Sequence, residues 1–108
     1  METRHQEIIE ALERCAAACD HCAASCLEED NVAMMARCIS LDMDCAQICR
    51  FAAGALTRNS ENAGAIARLC ADICGACASE CSKHDHDHCR KCAEACEHCA
   101  ESCRTIAA

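Results

Sequence analysis

The sequence predicts an all-α fold, an antiparallel four-helix bundle with a cysteine-lined core. It contains no proline and only three glycines among its 108 residues, while alanine, glutamate, arginine and lysine, which favour helices, are frequent. Its sixteen cysteines recur at intervals of three, four or seven residues, and such intervals place side chains on one face of a helix. Short polar breaks separate the cysteine-bearing segments, which makes neighbouring helices antiparallel.

The first helix is predicted over residues 3–29 and the second over residues 32–57. The polar break at residues 28–31 supplies N-cap candidates for the second helix. The core stripe of that helix is predicted to comprise Met34, Cys38, Leu41, Cys45 and Ile48. Cys49 is placed beside this stripe.

The third helix is predicted over residues 61–82 and the fourth over residues 88–106, with Asp85 or Asp87 as the N-cap of the fourth. The first, third and fourth helices carry their cysteines at the a and d positions of heptads, which face the centre of a bundle. The other faces carry charge, at Glu10, Glu13, Arg14, Asp20, Arg68, Asp72, Glu80, Arg90, Glu94, Glu97 and Glu101. The whole chain, residues 1–108, is predicted to be one domain.

Metal binding explains the cysteine pattern better than packing or disulfides do. A buried thiol packs as a small hydrophobe but it oxidises, so a chain that needs only a core has better options. Residues i and i+4 of a helix have Cβ atoms about 5–6 Å apart, whereas a disulfide requires about 3.5–4.5 Å. Two thiolates on one ion lie about 4.6 Å apart, because a metal–sulfur bond is about 2.3 Å long. The candidate ligands are Cys15, Cys19, Cys22, Cys26, Cys38, Cys45, Cys49, Cys70, Cys74, Cys77, Cys81, Cys89, Cys92, Cys96, Cys99 and Cys103.

The identity of the metal follows from how many sulfurs each ion requires. Soft thiolates select Cu(I), Zn(II) or iron–sulfur clusters. Zinc requires four tetrahedral ligands. A continuous column of thiols does not favour separate groups of four cysteines. The common iron–sulfur motifs use loops with proline, and the chain has no proline. Cu(I) accepts two or three shared sulfurs, so the spacing favours several Cu(I) ions and leaves a zinc or cadmium thiolate buffer as the alternative.

The two ends of the predicted bundle differ in chemistry. One end is a predicted hydrophobic plug formed by Ile8, Ile9, Leu12, Phe51, Leu56, Ile66, Leu69 and Ile106. The other end combines four cysteines with thioethers and imidazoles, namely Cys26, Cys38, Cys81, Cys89, Met34, Met35, His84, His86 and His88. Because imidazole and thioether both bind copper, this end is the predicted mouth through which copper passes. His21 and His98 are expected to face solvent.

Several other function classes are excluded or disfavoured. A net charge of −8 and a single aromatic residue argue against nucleic acid as a partner. No stretch has the roughly 18 apolar residues of a membrane span, and the first ten residues lack the features of a secretory signal. The expected location is therefore the reducing cytoplasm, where many cysteines indicate metal binding or catalysis. A thiol redox enzyme using Cys89 and Cys92, or Cys96 and Cys99, would need exposed thiols in electropositive surroundings, and these are core positions of an acidic chain.

The chain resembles the bacterial copper storage proteins of the cytosolic class over essentially its whole length. The resemblance rests on C-x₃-C-x₂-C-x₃-C in the first and third helices, on C-x₂-C-x₃-C-x₂-C-x₃-C in the fourth, and on the loop Lys83-His84-Asp85-His86-Asp87-His88-Cys89. It implies a homotetrameric Cu(I) store without enzymatic activity, in which the sixteen cysteines and loop residues His84, His86 and His88 bind copper. Exchange of copper with a chaperone or a chelator is a further expectation.

Overall fold

Four antiparallel α-helices form the part of the chain that the computed structural model describes, residues 3–107. They are α1 (Thr3–Cys26), α2 (Ala36–Thr57), α3 (Ala63–Cys81) and α4 (Asp87–Ala107), and a 3₁₀ turn at Val32–Met35 precedes α2. The predicted four-helix bundle is confirmed. Met1, Glu2 and Ala108, which belong to the predicted domain, lie outside the described residues.

The helices pack side by side in a ring around one narrow core. Helix α1 contacts α2 and α4, and α3 also contacts α2 and α4. The bundle measures 44 × 20 × 17 Å, so its long axis is somewhat longer than one helix of about 24 residues, which spans about 36 Å at 1.5 Å per residue. A cross-section this small leaves room for a single column of side chains between the helices. No helix within residues 3–107 is both long and apolar enough to cross a membrane.

The ends of α1 and α2 differ from the predicted ones because the chain tightens there. Helix α1 ends at Cys26 rather than residue 29, since the amides of Glu28 and Glu29 bond to carbonyls three residues back, at 3.1 and 3.2 Å. Helix α2 ends with the amide of Ser60 on the carbonyl of Ala55 (2.9 Å) and with Asn59 at φ 51°. This left-handed residue closes the helix, and α3 therefore starts at Ala63, two residues later than predicted.

The predicted side-chain caps are wrong. Asn31 precedes the 3₁₀ turn without a capping hydrogen bond from its side chain, and its carbonyl instead accepts from the amide of Met34 at 3.2 Å. Helix α2 begins later than predicted, after Met35, because the residues before it form the 3₁₀ turn. Asp87 is the first residue of α4, where its charge complements the helix dipole. Asp85 pairs with Arg90 at 2.7 Å.

Cysteine and alanine fill the core almost alone. All sixteen cysteines are fully buried, including Cys49, which the heptad pattern placed beside the core stripe. Met34 was predicted to be in this stripe and is 66% exposed, while Met35 is buried. The segment before α2 is a 3₁₀ turn with three residues per turn, so its side chains do not follow α-helical spacing. Met35 therefore faces the core in place of Met34. Leu41 is half-buried.

Three further positions correct the predicted surface and plug. Glu80 was assigned to a solvent face and is buried at 7% exposure, where it pairs with Arg37, Lys83 and His84. Phe51 and Leu69 were assigned to the plug and are half exposed, because they lie on the outer faces of α2 and α3. The other plug residues are placed as predicted. Ile8, Ile9, Leu12 and Leu56 are buried, and Ile66 and Ile106 are half-buried against the core.

Candidate metal centre

The sixteen thiols form one continuous column along the bundle axis. Neighbouring Sγ atoms lie from 3.4 Å apart, between Cys38 of α2 and Cys81 of α3, to 4.0 Å apart, between Cys45 and Cys49 within α2. These distances are far longer than the S–S bond of about 2.05 Å in a disulfide, and all sixteen thiols are free. They are slightly shorter than the roughly 4.6 Å between two sulfurs on one metal ion. A small outward rotation of each side chain is therefore enough to admit ions.

Potential metal-binding groups overlap throughout the column. Groups of four ligand atoms, all within 4.8 Å of one another, include Cys15–Cys49–Cys74–Cys99, Cys15–Cys19–Cys45–Cys96, Cys19–Cys77–Cys92–Cys96, Cys22–Cys26–Cys38–Cys89 and Cys22–Asp42–Cys81–Cys92. Five cysteines belong to two of these groups each, namely Cys15, Cys19, Cys22, Cys92 and Cys96. Because a shared sulfur cannot serve two isolated tetrahedral sites, the column suits ions that share bridging thiolates better than ions that need four sulfurs each.

Asp42 lies inside the thiol column, and sequence reasoning missed it. This carboxyl is fully buried, and three thiols donate to its Oδ1, from Cys77 at 3.2 Å, Cys92 at 3.3 Å and Cys81 at 3.5 Å. The sequence carried a signal. Helix α2 reads C-x₃-D-x₂-C-x₃-C, which is the pattern of α1 and α3 with Asp42 at the second cysteine position. A carboxyl oxygen thus lies among the thiols of the column.

Burial favours the protonated form of the Asp42 carboxyl and of two thiols at the mouth, Cys26 and Cys89. Desolvation, together with the nearby Cys92 and Cys77, raises the pKa of Asp42 to about 10. Burial likewise raises the pKa of Cys89 to about 11, with a contribution from Cys38, and it raises the pKa of Cys26. Since metal ions bind the thiolate rather than the thiol, each ion that enters here displaces protons.

His88 is the loop histidine that reaches the thiols. Its Nδ1 lies 3.5 Å from the Sγ atoms of Cys22 and Cys89 and 3.9 Å from that of Cys26. Its Nε2 lies 2.8 Å from Oε2 of Glu29. This hydrogen bond lowers the pKa of Glu29. His88 therefore connects a surface carboxylate to the first thiols of the column.

The other two loop histidines bind carboxylates near the same end. Nε2 of His84 lies 2.8 Å from Oε2 of Glu80, and Nδ1 of His86 lies 3.4 Å from Oε2 of Glu29. The ring of His86 stacks on that of His88 with centroids 5.3 Å apart. A pocket of about 350 Å³ opens beside them, lined by Glu29, Asp30, Asn31, Met34, Met35, Lys83, His84, Asp85 and His86. His21 and His98, expected to face solvent, are exposed.

Comparison with known proteins agrees with this geometry. The copper storage protein family model matches residues 1–108. A relative from Bacillus subtilis (strain 168), described as the uncharacterized cysteine-rich protein YhjQ, is 50% identical over 108 residues, which are 100% of both chains. The Cu(I)-bound copper storage protein BsCsp3 is 49% identical, with a TM-score of 0.93 over 98% of this chain and 100% of that one. A cytosolic copper storage protein from Streptomyces lividans, solved with five coppers, is 41% identical, with a TM-score of 0.93 over 96% of this chain and 92% of that one.

Proposed function

We propose, because the chain belongs to the copper storage protein family, that it stores many Cu(I) ions as thiolates inside its helical bundle. The observation that carries the proposal is the overlap of the four-ligand groups, in which five cysteines each belong to two groups. Cu(I) uses two or three sulfurs and shares them, so it can occupy overlapping groups at the same time. Copper is the cargo of the protein rather than a cofactor of a reaction.

The proposed ligands are the sixteen cysteines, with His88 at the mouth and Asp42 within the column. His84 and His86 are proposed to handle copper in transit, since their rings border the open pocket and pair with carboxylates. The plug at the opposite end supports a single route, because the side chains of Ile8, Ile9 and Leu12 that close the core there are buried and apolar. We propose that residues 1–108 act together as one copper-binding domain.

Competition between copper and zinc tests the proposed metal. The reduced chain is offered equal amounts of Cu(I) and Zn(II) without oxygen, passed over a gel-filtration column, and analysed for both metals. We expect copper to be retained in excess and zinc to be displaced, because the overlapping groups cannot all be filled by ions that need four sulfurs. Retention of about four zinc ions per chain that copper fails to displace would instead support a zinc or cadmium buffer.

Replacing the loop histidines is expected to slow copper movement without reducing capacity. In the variant H84A/H86A/H88A the sixteen thiols remain, so the number of ions bound at saturation should stay near the wild-type value. The rates of loading from a Cu(I) chelator, and of removal by one, should fall about tenfold or more, by analogy with the loss of groups that orient metal ligands. Stopped-flow absorbance of the chelator measures both rates.

The matched control for this experiment uses the other three histidines of the chain. The variant H5A/H21A/H98A removes the same number of imidazoles from positions outside the mouth and should load at the wild-type rate. Equal rates in both triple variants and the wild type would show that copper passes elsewhere.

We propose that the protein works in the cytoplasm and assembles as a homotetramer. Support for the location comes from the Streptomyces lividans relative, which is described as cytosolic. Support for assembly comes from half-exposed Phe51, Leu69 and Met43 on the outside of α2 and α3, since exposed large apolar side chains favour protein contacts. Sedimentation of the reduced chain at one chain mass rather than four would contradict the tetramer. Donors and acceptors of copper would be a chaperone or a small chelator that fits the mouth.

We propose no catalytic activity for this chain. Its family is a storage family, and the two C-x-x-C pairs that would serve a thiol redox enzyme, Cys89 with Cys92 and Cys96 with Cys99, are fully buried. Redox catalysis requires thiols that a substrate can reach.

A further inference from the structure

Glu29 joins two of the three loop histidines at the mouth. It lies in the turn after α1, and its Oε2 is 2.8 Å from Nε2 of His88 and 3.4 Å from Nδ1 of His86. On the far side of the His88 ring, Nδ1 faces the Sγ atoms of Cys22 and Cys89, each at 3.5 Å. The ring is thus held between a carboxylate outside the column and the first thiols inside it.

The hydrogen-bonding inventory of these groups fixes the tautomer of His88. A neutral imidazole has one N–H donor and one nitrogen with a free lone pair. An ionised carboxylate can only accept hydrogen bonds, so the contact of 2.8 Å with Glu29 places the ring proton on Nε2. The lone pair then lies on Nδ1 and points at the thiols, in the form that a metal ion requires.

We propose that Glu29 is a positioning residue for copper uptake, which holds His88 with the Nδ1 lone pair aimed at the thiols of Cys22, Cys26 and Cys89. This inference rests on the proposed function. A carboxylate that accepts from the second ring nitrogen of a ligating histidine fixes the ring orientation and raises its basicity as a ligand. Copper ions arriving at the mouth then meet one imidazole nitrogen and three sulfurs that already face one another.

The second carboxylate–histidine pair at the mouth differs in its surroundings. Glu80, which accepts from His84, is also held by Arg37 at 3.3 Å and Lys83 at 3.7 Å, and it is buried. Its removal would disturb packing and two ion pairs together. Glu29 has a side chain that is 29% exposed and contacts two imidazoles, so replacing it tests the histidine contact with little disturbance of the fold.

The first test compares Glu29→Ala with Glu28→Ala. Glu28 is the preceding residue and is exposed, so its replacement removes the same charge from the same turn. Glu29→Ala should weaken binding of the first Cu(I) equivalents, and slow their uptake from a chelator, by about 10–100-fold. Capacity at saturation should be unchanged. Glu28→Ala should match the wild type, and Glu29→Gln, whose amide oxygen can still accept from Nε2, should recover most of the loss.

A double-mutant cycle with His88→Ala distinguishes positioning of the His88 ring by Glu29 from a general effect of the Glu29 charge. In the His88→Ala background, Glu29→Ala should produce at most a small further loss, through its longer contact with His86 at 3.4 Å, because the ring it orients is gone. A loss of equal size in both backgrounds, or equal losses for Glu28→Ala and Glu29→Ala, would overturn the inference.

Nitrogen NMR of the reduced apo-protein gives a readout that does not depend on copper. The His88 ring should appear as the single Nε2–H tautomer in the wild type and should become mixed or mobile in Glu29→Ala. An unchanged His88 spectrum in that variant would overturn the role of Glu29. Absence of tight Cu(I) binding in every variant would refute the proposed function instead.

Discussion

Loading the reduced chain with Cu(I) is expected to raise its thermal midpoint by tens of degrees. A ligand that binds the folded state alone stabilises it by about 4 kcal/mol when present at 1,000 times its Kd. In a domain of this size each kcal/mol shifts the midpoint by about 4–8 °C. Several ions bound along one column therefore raise the midpoint by tens of degrees. Calorimetry of the apo-protein and of chains loaded in steps measures the shift.

The stabilisation comes from the arrangement of the sulfurs and not merely from their number. An unfolded chain also offers thiols, which reduces the effect, but it must order its backbone to bring two or three of them to one ion. In the bundle they already lie 3.4–4.0 Å apart. The control is the same sample after copper has been removed by a strong chelator, which should return to the apo midpoint. A midpoint that is unchanged or lower at full loading would mean that copper binds outside the folded column.

The second large effect is expected from Asp42→Asn in the apo-protein. The pKa of Asp42 is raised to about 10 from an ordinary value of 3.8, so between these values the folded chain keeps a proton that the unfolded chain releases. The free energy of unfolding therefore falls by about 1.4 kcal/mol per pH unit as pH rises through this window. Between pH 5 and pH 8 the wild type should lose about 4 kcal/mol relative to Asp42→Asn.

Urea unfolding of the reduced, metal-free chain at several pH values measures this difference. The asparagine amide oxygen can accept from the thiols of Cys77 and Cys92 as the carboxyl does, so the variant mimics the protonated acid. Histidines contribute equally to both chains and cancel. The matched control is Asp44→Asn, which replaces an exposed aspartate of α2 and should keep the wild-type pH dependence. If the free energy of unfolding has the same pH dependence in the wild type and in Asp42→Asn, Asp42 is ionised inside the bundle.

Periodicity made most of the bundle predictable from the sequence. Intervals of three and four residues fix a helical face wherever they persist for several turns, as they do from Cys15 to Cys26, from Cys70 to Cys81 and from Cys89 to Cys103. In α2 the cysteine pattern is incomplete, because no cysteine lies at the i+4 position between Cys38 and Cys45. Reading that position as part of the repeat would have placed Asp42 in the core and Cys49 with it.

The remaining differences arise where local backbone geometry or partners override the pattern. Met34 and Met35 exchange places because a 3₁₀ turn precedes α2, and helix periodicity cannot anticipate such a turn. Glu80 is buried because Arg37, Lys83 and His84 surround it, and these partners are brought together only by the tertiary fold. For the same reason, the sequence grouped the loop histidines but could not show that His88 alone of the three contacts the thiols.

An anaerobic count of Cu(I) bound per chain, in competition with a strong Cu(I) chelator, tests whether the thiols share ions along the column. If the sixteen thiols act as one column of shared ligands, the reduced chain should take up about ten or more ions tightly, since each Cu(I) needs two or three sulfurs and each sulfur can bridge. Saturation at about four ions would contradict this result, because it would mean that each ion takes four sulfurs to itself in isolated sites.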